Sequence, residues 1–128
     1  MNDKGKAGED FATKTLTAQG CEIIGRNYTS RYGEIDIIAR DGDDICFIEV
    51  KARRKGSMVE AAQSVTPQKQ KRIIKTAVVY MHENEFTVDL QPRFDVFCVE
   101  TAGSGDKAKI IGYDHLKGAF DSEAYNGG

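Results

Sequence analysis

Two strand-like runs on either side of a short acidic turn constrain the fold of this chain more than any other feature. The first run, Glu34–Arg40, alternates so that Ile35 and Ile37 are expected on one face of a strand. The second run, Asp44–Arg53, opens with an almost continuous apolar stretch. Asp41–Asp44 between them has the sequence Asp-Gly-Asp-Asp, which is typical of tight turns. The sequence therefore predicts an antiparallel hairpin.

The rest of the chain is predicted to add two long helices and three strands around this hairpin. Thr66 followed by Pro67 is typical of a helix start, with threonine as the N-cap and proline at the first helical position. The apolar face of that helix is expected to use Ile73, Ile74, Ala77, Val78 and Met81. The predicted elements are helices over Lys4–Gln19 and from Pro67 to about Glu83, strands over Glu22–Tyr28, Arg93–Glu100 and Ala108–Tyr113, short helical turns over Val59–Val65 and Asp114–Phe120, and a loop over Thr29–Gly33.

The order α-β-β-β-α-β-β predicts an α/β fold in which helices flank a mixed β-sheet. A chain of 128 residues suits one domain, which we place over residues 1–120, with 121–128 as a flexible tail. No apolar run approaches the roughly 20 residues that a membrane-spanning helix needs, and the polar residues 1–10 do not resemble a secretory signal. Three widely spaced cysteines without a CxxC pair indicate reduced thiols in a cytoplasmic protein.

Two charged residues interrupt the apolar second strand of the hairpin. Glu49 and Lys51 are two positions apart, so they share one face of the strand, and Val50 points to the other. Asp36 on the partner strand adds a second carboxylate, and two facing carboxylates repel unless one is protonated or a cation such as Mg²⁺ binds them. A surface ion pair between Glu49 and Lys51 is the alternative, and such a pair contributes only about 0.2–1 kcal/mol. The apolar setting favours a metal site.

Basic residues are concentrated in one window of the chain, from Glu49 to Lys75. This window holds eight basic and two acidic residues, a net charge of +6, so the remainder of a chain with total charge −2 carries −8. A basic patch on an acidic protein can bind phosphate locally while the rest of the surface repels it. The alternative is a solvated helix face, since lysine-rich helices often have one. Charge alone does not decide between the two.

Four segments of the chain carry a resemblance to a known family. Asp36, followed on the paired strand by Glu49-Val50-Lys51, resembles the PD-(D/E)XK signature of restriction-endonuclease-like nucleases. The wider pattern resembles the YraN-like family, whose members are similar to archaeal Holliday junction resolvases. The segments are GKAGEDFA (Gly5–Ala12), YGEIDIIARDGDDICFIEVKAR (Tyr32–Arg53), VTPQKQKRI (Val65–Ile73) and RFDVFCVE (Arg93–Glu100).

The resemblance implies a restriction-endonuclease-like core and a role for each matching residue. Asp36 and Glu49 would bind a metal ion, Mg²⁺ with Mn²⁺ as a substitute, and the Val50 carbonyl would be a further ligand. Lys51 would orient the attacking water or stabilise the phosphate. Glu9 matches a helix glutamate that helps to hold metal in resolvase-like relatives; without the resemblance it would be a favourable charge near a helix N-terminus.

The activity that this resemblance implies is Mg²⁺-dependent endonucleolytic cleavage of DNA, with branched, single-stranded or other non-duplex DNA in repair or recombination as candidate substrates. Resolvase relatives act as dimers, which makes a homodimer a candidate assembly. Two alternatives stay open: a non-catalytic nucleic-acid-binding accessory protein that keeps the nuclease fold, and a protein-interaction module. Whether RNA is accepted is also open. The residues expected to contact nucleic acid are Arg53, Arg54, Lys55, Gln63, Lys69 and Arg72.

Three further polar residues have no assigned role in this site. Asp95 is equally compatible with structural hydrogen bonding and with a position beside the carboxylates. His82 and His115 have no cysteine or aspartate at metal-ligand spacing. We therefore expect both histidines at the surface.

Overall fold

Two α-helices and a five-stranded sheet make up the described part of the chain, residues 3–57, 60, 64–86 and 88–121 of a computed structural model. We number the elements in chain order. They are α1 (Asp3–Ala18), β1 (Glu22–Ser30), β2 (Gly33–Asp41), β3 (Asp44–Arg54), α2 (Pro67–Glu83), β4 (Gln91–Ala102), a short 3₁₀ helix (Gly105–Lys107) and β5 (Lys109–Phe120). Most of the helical turn predicted over residues 59–65, and the tail beyond residue 121, lie outside the described residues.

The strands lie in the order β1-β2-β3-β4-β5, so each is hydrogen-bonded to its neighbour in sequence. β1 and β2, β2 and β3, and β4 and β5 pair antiparallel, whereas β3 and β4 pair in parallel. A parallel pair needs a crossover connection, and α2 lies in that connection. The predicted hairpin, the mixed sheet and the order α-β-β-β-α-β-β are all confirmed, and they form the restriction-endonuclease-like α/β core.

The helices cover opposite faces of the sheet, and each face has its own apolar cluster. On one face Ala12 and Leu16 of α1 pack in a cluster with Ile37 and Ile48 of the hairpin. On the other, α2 packs in a cluster whose members include Phe47. The α2-side cluster is completed by Ile35, Ile38, Ile45, Val65, Ile73, Ile74, Ala77, Tyr80, Leu90, Phe94 and Val96. The hairpin is thus buried on both faces at its centre.

The predicted start of α2 is confirmed in detail. The Thr66 side chain accepts a hydrogen bond from the Lys69 backbone N–H at 3.2 Å, and Pro67 occupies the first turn. The predicted apolar face is right except at Val78, which is 51% exposed. Thr76 is fully buried instead, and its hydroxyl is hydrogen-bonded to that of Ser30 at the β1–β2 turn. A buried hydroxyl with a partner costs little, so the stripe can include a polar residue.

The helical turn predicted over residues 114–120 is wrong, because these residues form the second half of β5. Leu116 pairs with Val96 and Phe120 with Phe94, and both side chains pack against the cluster on the α2 side. The left-handed backbone of Gly118 (φ +61°) lies within this half, where the register between β4 and β5 shifts. Residues 114–120 form a strand because the backbone N–H and C=O groups at the edge of β4 need hydrogen-bond partners. A helix in this place would leave those β4 groups unpaired.

All three cysteines, Cys21, Cys46 and Cys98, are buried free thiols, as predicted. Burial raises the pKa of Cys46 to about 12, so this thiol stays protonated and unreactive at neutral pH. Within the described ranges, none of the helices is long and apolar enough to cross a membrane.

Candidate active site

The hairpin forks at the point where its polar residues lie. Pairing between β2 and β3 extends from the Asp41–Asp44 turn as far as Ile37 and Ile48. Beyond that pair the ladder between the two strands ends, although β2 reaches back to Gly33 and β3 continues to Arg54. The backbone groups on the β2-facing edge of β3 are therefore open to other partners at this fork.

A local irregularity in β2 and β1 turns Asp36 into this fork. Ile35 packs in the cluster on the α2 side, whereas Ile37 packs in the cluster on the α1 side. The prediction that Ile35 and Ile37 share a face is therefore wrong. Asn27 of β1, between the partners of these two isoleucines, has left-handed backbone geometry (φ 55°), which asparagine tolerates better than most residues. Asp36 lies at the point where the alternation of the strand fails.

The Asp36 carboxylate takes the place of a strand partner for β3. It accepts a hydrogen bond from the Val50 backbone N–H at 2.8 Å. Because the N–H and C=O of one strand residue face the same neighbour, the Val50 carbonyl also faces the fork. Val50 itself packs on the α1 side, as the predicted alternation with Glu49 requires. The fork thus offers carboxylate and carbonyl oxygens.

Asp36 and Glu49 form a pair of adjacent carboxylates. Glu49 is buried, with 5% of its surface exposed, and it hydrogen-bonds to Asp36. Burial, the Glu49 hydrogen bond and the Glu49 charge together raise the pKa of Asp36 to about 7, against the opposing effects of the Val50 N–H and Lys69. Two carboxylates can share a hydrogen bond only while one is protonated. A divalent cation would remove the repulsion that the second ionisation creates.

Two lysines flank the pair. The Lys51 Nζ lies 3.8 Å and the Lys69 Nζ 3.6 Å from the same Glu49 oxygen, Oε2. Lys51 comes from β3, on the face that it was predicted to share with Glu49, and Lys69 comes from the first turn of α2. Both lysine side chains are partly exposed, at 35% and 39%. They can therefore move from the carboxylate to an incoming anion without unfolding any element.

The donor set fits a hard cation. Mg²⁺ takes oxygen ligands and is often held by one or two carboxylates together with water and substrate phosphate. The Asp36 and Glu49 carboxylates and the Val50 carbonyl supply such oxygens at one edge of a partly open fork. Across residues 3–57, 60, 64–86 and 88–121, no group of three or more His, Cys, Asp and Glu side chains is arranged to hold a metal.

Glu9 forms an ion pair of its own with Arg26. Its carboxylate lies 3.4 Å from the Arg26 guanidinium, which also contacts Asp10 at 2.9 Å. α1 approaches β3 closely beside Glu9: a Cβ built on Gly8 would lie 3.6 Å from the Val50 side chain. Glu9 is therefore near the fork on its α1 side, and its role as a metal-supporting residue stays a prediction.

The basic residues predicted to contact nucleic acid differ in exposure and in whether they form ion pairs with acidic side chains. Arg53 forms ion pairs with Asp114 and, at 3.9 Å, with Glu100. Arg54 and Lys55 are exposed at the end of β3. The Arg72 side chain is exposed on α2, with its Cβ beside Gly33. Gln63 lies outside the described residues. Nucleic-acid contacts by these residues stay a prediction.

A buried charge network lies around Asp95 on β4, and the sequence predicts it only in part. Asp95 is fully buried and accepts hydrogen bonds from Arg93, His115 and the Gly118 N–H. The structure makes Asp95 a structural hydrogen-bonder, and the expectation of a surface His115 is wrong, since its side chain is 5% exposed. Arg93 and Asp95, two positions apart on one strand, were the available signal in the sequence.

Comparisons with known proteins converge on one family. The protein-family model described as Uncharacterised protein family UPF0102 matches residues 8–99 of this chain. A UPF0102 protein of Chlorobaculum parvum is 48% identical over 118 residues, which cover 91% of this chain and 90% of the relative. UPF0102 proteins of Myxococcus xanthus (40% identical; 92% of this chain, 89% of the relative) and Dictyoglomus turgidum (38%; 94% and 100%) are also similar. The matched residues include the fork, both lysines and α2.

Proposed function

This chain belongs to the UPF0102 family, and we propose that it is a Mg²⁺-dependent endonuclease that hydrolyses DNA phosphodiester bonds. The observation that carries the proposal is the Asp36–Glu49 carboxylate pair at the strand fork, with Glu49 buried and two lysines on one of its oxygens. A buried like-charge pair beside cations is costly to the fold, and such pairs mark functional sites. A surface ion pair would need neither the burial nor the fork.

Asp36, Glu49 and the Val50 carbonyl would hold the metal, with Mn²⁺ as a substitute for Mg²⁺. When bound, such a cation neutralises phosphate charge and lowers the pKa of a coordinated water. The chain's own residues do the rest. The Val50 N–H orients the Asp36 carboxylate, and the Lys51 ammonium, 3.8 Å from Glu49, is placed to bind a phosphate oxygen or the attacking water. In a partly dry cleft its charge acts more strongly than in water.

DNA is the substrate that the charge distribution supports best. Lys69, Arg72 and Lys75 follow one another at three-residue spacing along α2, so their backbones span about 9 Å at 1.5 Å per residue. That length corresponds to between two and three nucleotide steps at 3.4 Å. The row runs from the carboxylate pair to the β1–β2 turn, where Arg31 and Lys75 both lie over the Tyr32 ring, at 4.9 and 5.5 Å. These cations can contact one strand of nucleic acid, and branched or other non-duplex DNA stays in the proposal as the substrate that the family resemblance implies.

A nicking assay tests the proposed activity directly. Four-way, flap, single-stranded and linear duplex DNA would be incubated with Mg²⁺, Mn²⁺ or EDTA, using wild type, Asp36→Asn and Glu49→Gln. Glu22→Gln, at an exposed acid on β1, is the matched control. We expect metal-dependent cuts by wild type and the control, and a loss of at least about 10²-fold in both site variants.

The same assay separates the proposal from its main alternative. If wild type binds DNA but makes no cuts with either metal, and both site variants bind equally well, the chain is a non-catalytic nucleic-acid-binding protein. Light scattering of the protein alone and with four-way DNA tests the proposed homodimer, since two symmetric cuts in a four-way junction need two sites.

A further inference from the structure

Lys69 is predicted to contact nucleic acid, and its position in the structure indicates a further role. Its Nζ is 3.6 Å from Glu49 Oε2, and the Nζ of Lys51, two positions from Glu49 on the same strand, is 3.8 Å from that oxygen. The two ammonium groups reach one carboxylate oxygen from different elements, one from the sheet and one from the crossover helix. Lys69 therefore lies at the reaction centre of the proposed nuclease and not at its margin.

The backbone of Lys69 is fixed. Its N–H donates to the Thr66 side chain at 3.2 Å in the N-cap of α2, and the neighbouring Gln70 side chain donates to the Val65 carbonyl at 3.1 Å. Val65 itself is buried in the apolar cluster on the α2 side. The Lys69 side chain thus projects from an anchored turn, while 39% of it remains exposed to solvent. A fixed base with a mobile ammonium suits a group that changes partner during a reaction.

Phosphodiester hydrolysis needs positive charge on both sides of phosphorus, at the attacking and at the leaving oxygen. Sites with two metal ions supply it with cations about 3.5–4 Å apart. The fork has two paired carboxylates, and the described residues offer no set of three or more His, Cys, Asp and Glu ligands. Glu9, the candidate for a third that the family resemblance gives, is ion-paired with Arg26. One divalent cation suits this donor set, which leaves the second positive charge to the two lysines beside Glu49, of which Lys51 already has a role at the phosphate or the attacking water.

We propose that Lys69 is a catalytic residue that supplies this second positive charge, in a nuclease that uses one metal ion per site. The inference rests on the proposed function. Lys69 would then exchange its contact with Glu49 Oε2 for one with the scissile phosphate. The water oxygen forms the new bond to phosphorus as the bond to the leaving sugar oxygen breaks. The water loses its proton to solvent and the leaving oxygen gains one from solvent, while Lys69 stays protonated.

Metal binding without substrate is the first readout, because it is independent of cleavage. Mn²⁺ titrations followed by calorimetry would use wild type, Lys69→Ala, Lys69→Arg and Lys14→Ala, an exposed control on α1. We expect one ion per chain, and binding about three- to tenfold tighter in Lys69→Ala, because a competing charge beside Glu49 is gone. Lys69→Arg and Lys14→Ala should keep the wild-type affinity.

Cleavage is the second readout, and it should change in the opposite direction. Lys69→Ala should cut at least about 10²-fold more slowly despite its tighter metal binding, Lys69→Arg should retain much of the rate, and the wild-type rate should be first order in Mg²⁺. Two ions per chain, a second-order dependence, or an unchanged rate in Lys69→Ala would overturn the inference while leaving a nuclease. A wild type that neither binds Mn²⁺ nor cuts DNA would overturn the proposed function and this inference together.

Discussion

The Asp36 carboxylate accepts a hydrogen bond from the Val50 backbone N–H at 2.8 Å, across the point where β2 and β3 separate. A side chain here completes the hydrogen bonding of a central strand. The same contact fixes the carboxylate beside Glu49, so the geometry of the fork and the chemistry of the site depend on one residue. Changes at Asp36 should therefore be visible in stability as well as in activity.

The metal-free protein should lose stability as the pH rises. The pKa of Asp36 is raised from 3.8 to about 7, mainly by burial, so between these values the folded chain binds more protons than the unfolded chain. The stabilisation from protonated Asp36 is fully present below about pH 4 and is lost progressively up to about pH 7. Above that range Asp36 causes no further change in the free energy of unfolding. Asp36→Asn can keep both contacts, with its oxygen accepting from Val50 and its amide donating to Glu49.

We accordingly expect Asp36→Asn to be more stable than wild type at pH 8, by about 1–3 kcal/mol, and nearly equal to it at pH 4. Urea unfolding in EDTA at the two pH values measures this difference, with Glu22→Gln as the control. A variant less stable than wild type at pH 8 would show that the pair is not under charge strain.

A divalent cation should reverse this destabilisation. At a concentration 100 times its dissociation constant, a ligand that binds only the folded state adds about 2.7 kcal/mol to the free energy of unfolding. We expect Mg²⁺, Mn²⁺ and Ca²⁺ to raise the melting temperature of wild type at pH 8 and to leave that of Glu49→Gln unchanged. Equal shifts in both proteins would place the bound metal away from the fork.

The Asp95 network should behave as part of the fold and not of the site. Burial alone would raise the pKa of Asp95, but hydrogen bonds from His115, Arg93 and Gly118 outweigh it and lower that pKa. The stabilisation is therefore present above the ordinary aspartate pKa and lost as the pH falls.

Asp95→Ala leaves the Arg93 charge without two of its hydrogen bonds and should lower the free energy of unfolding by about 3–5 kcal/mol. Asp106→Asn, at an exposed position, should change it by less than about 0.5 kcal/mol. Thermal and urea unfolding at pH 7 compare the two. If Asp95→Ala unfolds like wild type, the Asp95 network does not stabilise the fold.

Two arginines should contribute differently to DNA binding. Arg72 is exposed on α2 beside the β1–β2 turn, whereas Arg53 is paired with Asp114 and Glu100. Arg72→Ala should reduce the slope of log affinity against log salt by about 1, the loss of one phosphate contact. Arg53→Ala should reduce it by less, because Arg53 must first leave two acids. Fluorescence anisotropy between 50 and 200 mM salt, with Mg²⁺ replaced by EDTA, gives both slopes. A larger reduction of the slope in Arg53→Ala than in Arg72→Ala would contradict the prediction that Arg72 is the stronger phosphate contact.

The parts of the fold that local patterns encode were predictable. The Asp-Gly-Asp-Asp turn fixed the hairpin, and Thr66-Pro67 fixed the start of α2. The positions of Glu49 and Lys51 on one face followed from strand alternation alone. In each case the determining residues lie within a few positions of one another, so the chemistry that selects the structure is visible in the sequence.

The parts that failed depend on partners far away in the chain. Residues 114–120 are extended because β4 offers them an edge, and His115 is buried because Asp95 lies on that strand. The shared face predicted for Ile35 and Ile37 failed because of an irregularity opposite the left-handed Asn27, which no alternation rule contains. The Lys69–Glu49 contact likewise joins elements whose approach is set by the crossover.

The parallel pairing of β3 and β4 has a kinetic consequence for how the site is built. The hairpin that carries both carboxylates closes through a turn of four residues, whereas Asp44 meets its β4 partner, Gln91, only after the whole crossover has been ordered. Short loops close fast, and non-local parallel pairing is slow. During folding the acids should therefore come together first, and the ammonium of Lys69 should reach them last, when α2 docks. Until then the nascent fork is a carboxylate pair open to any cation in solution.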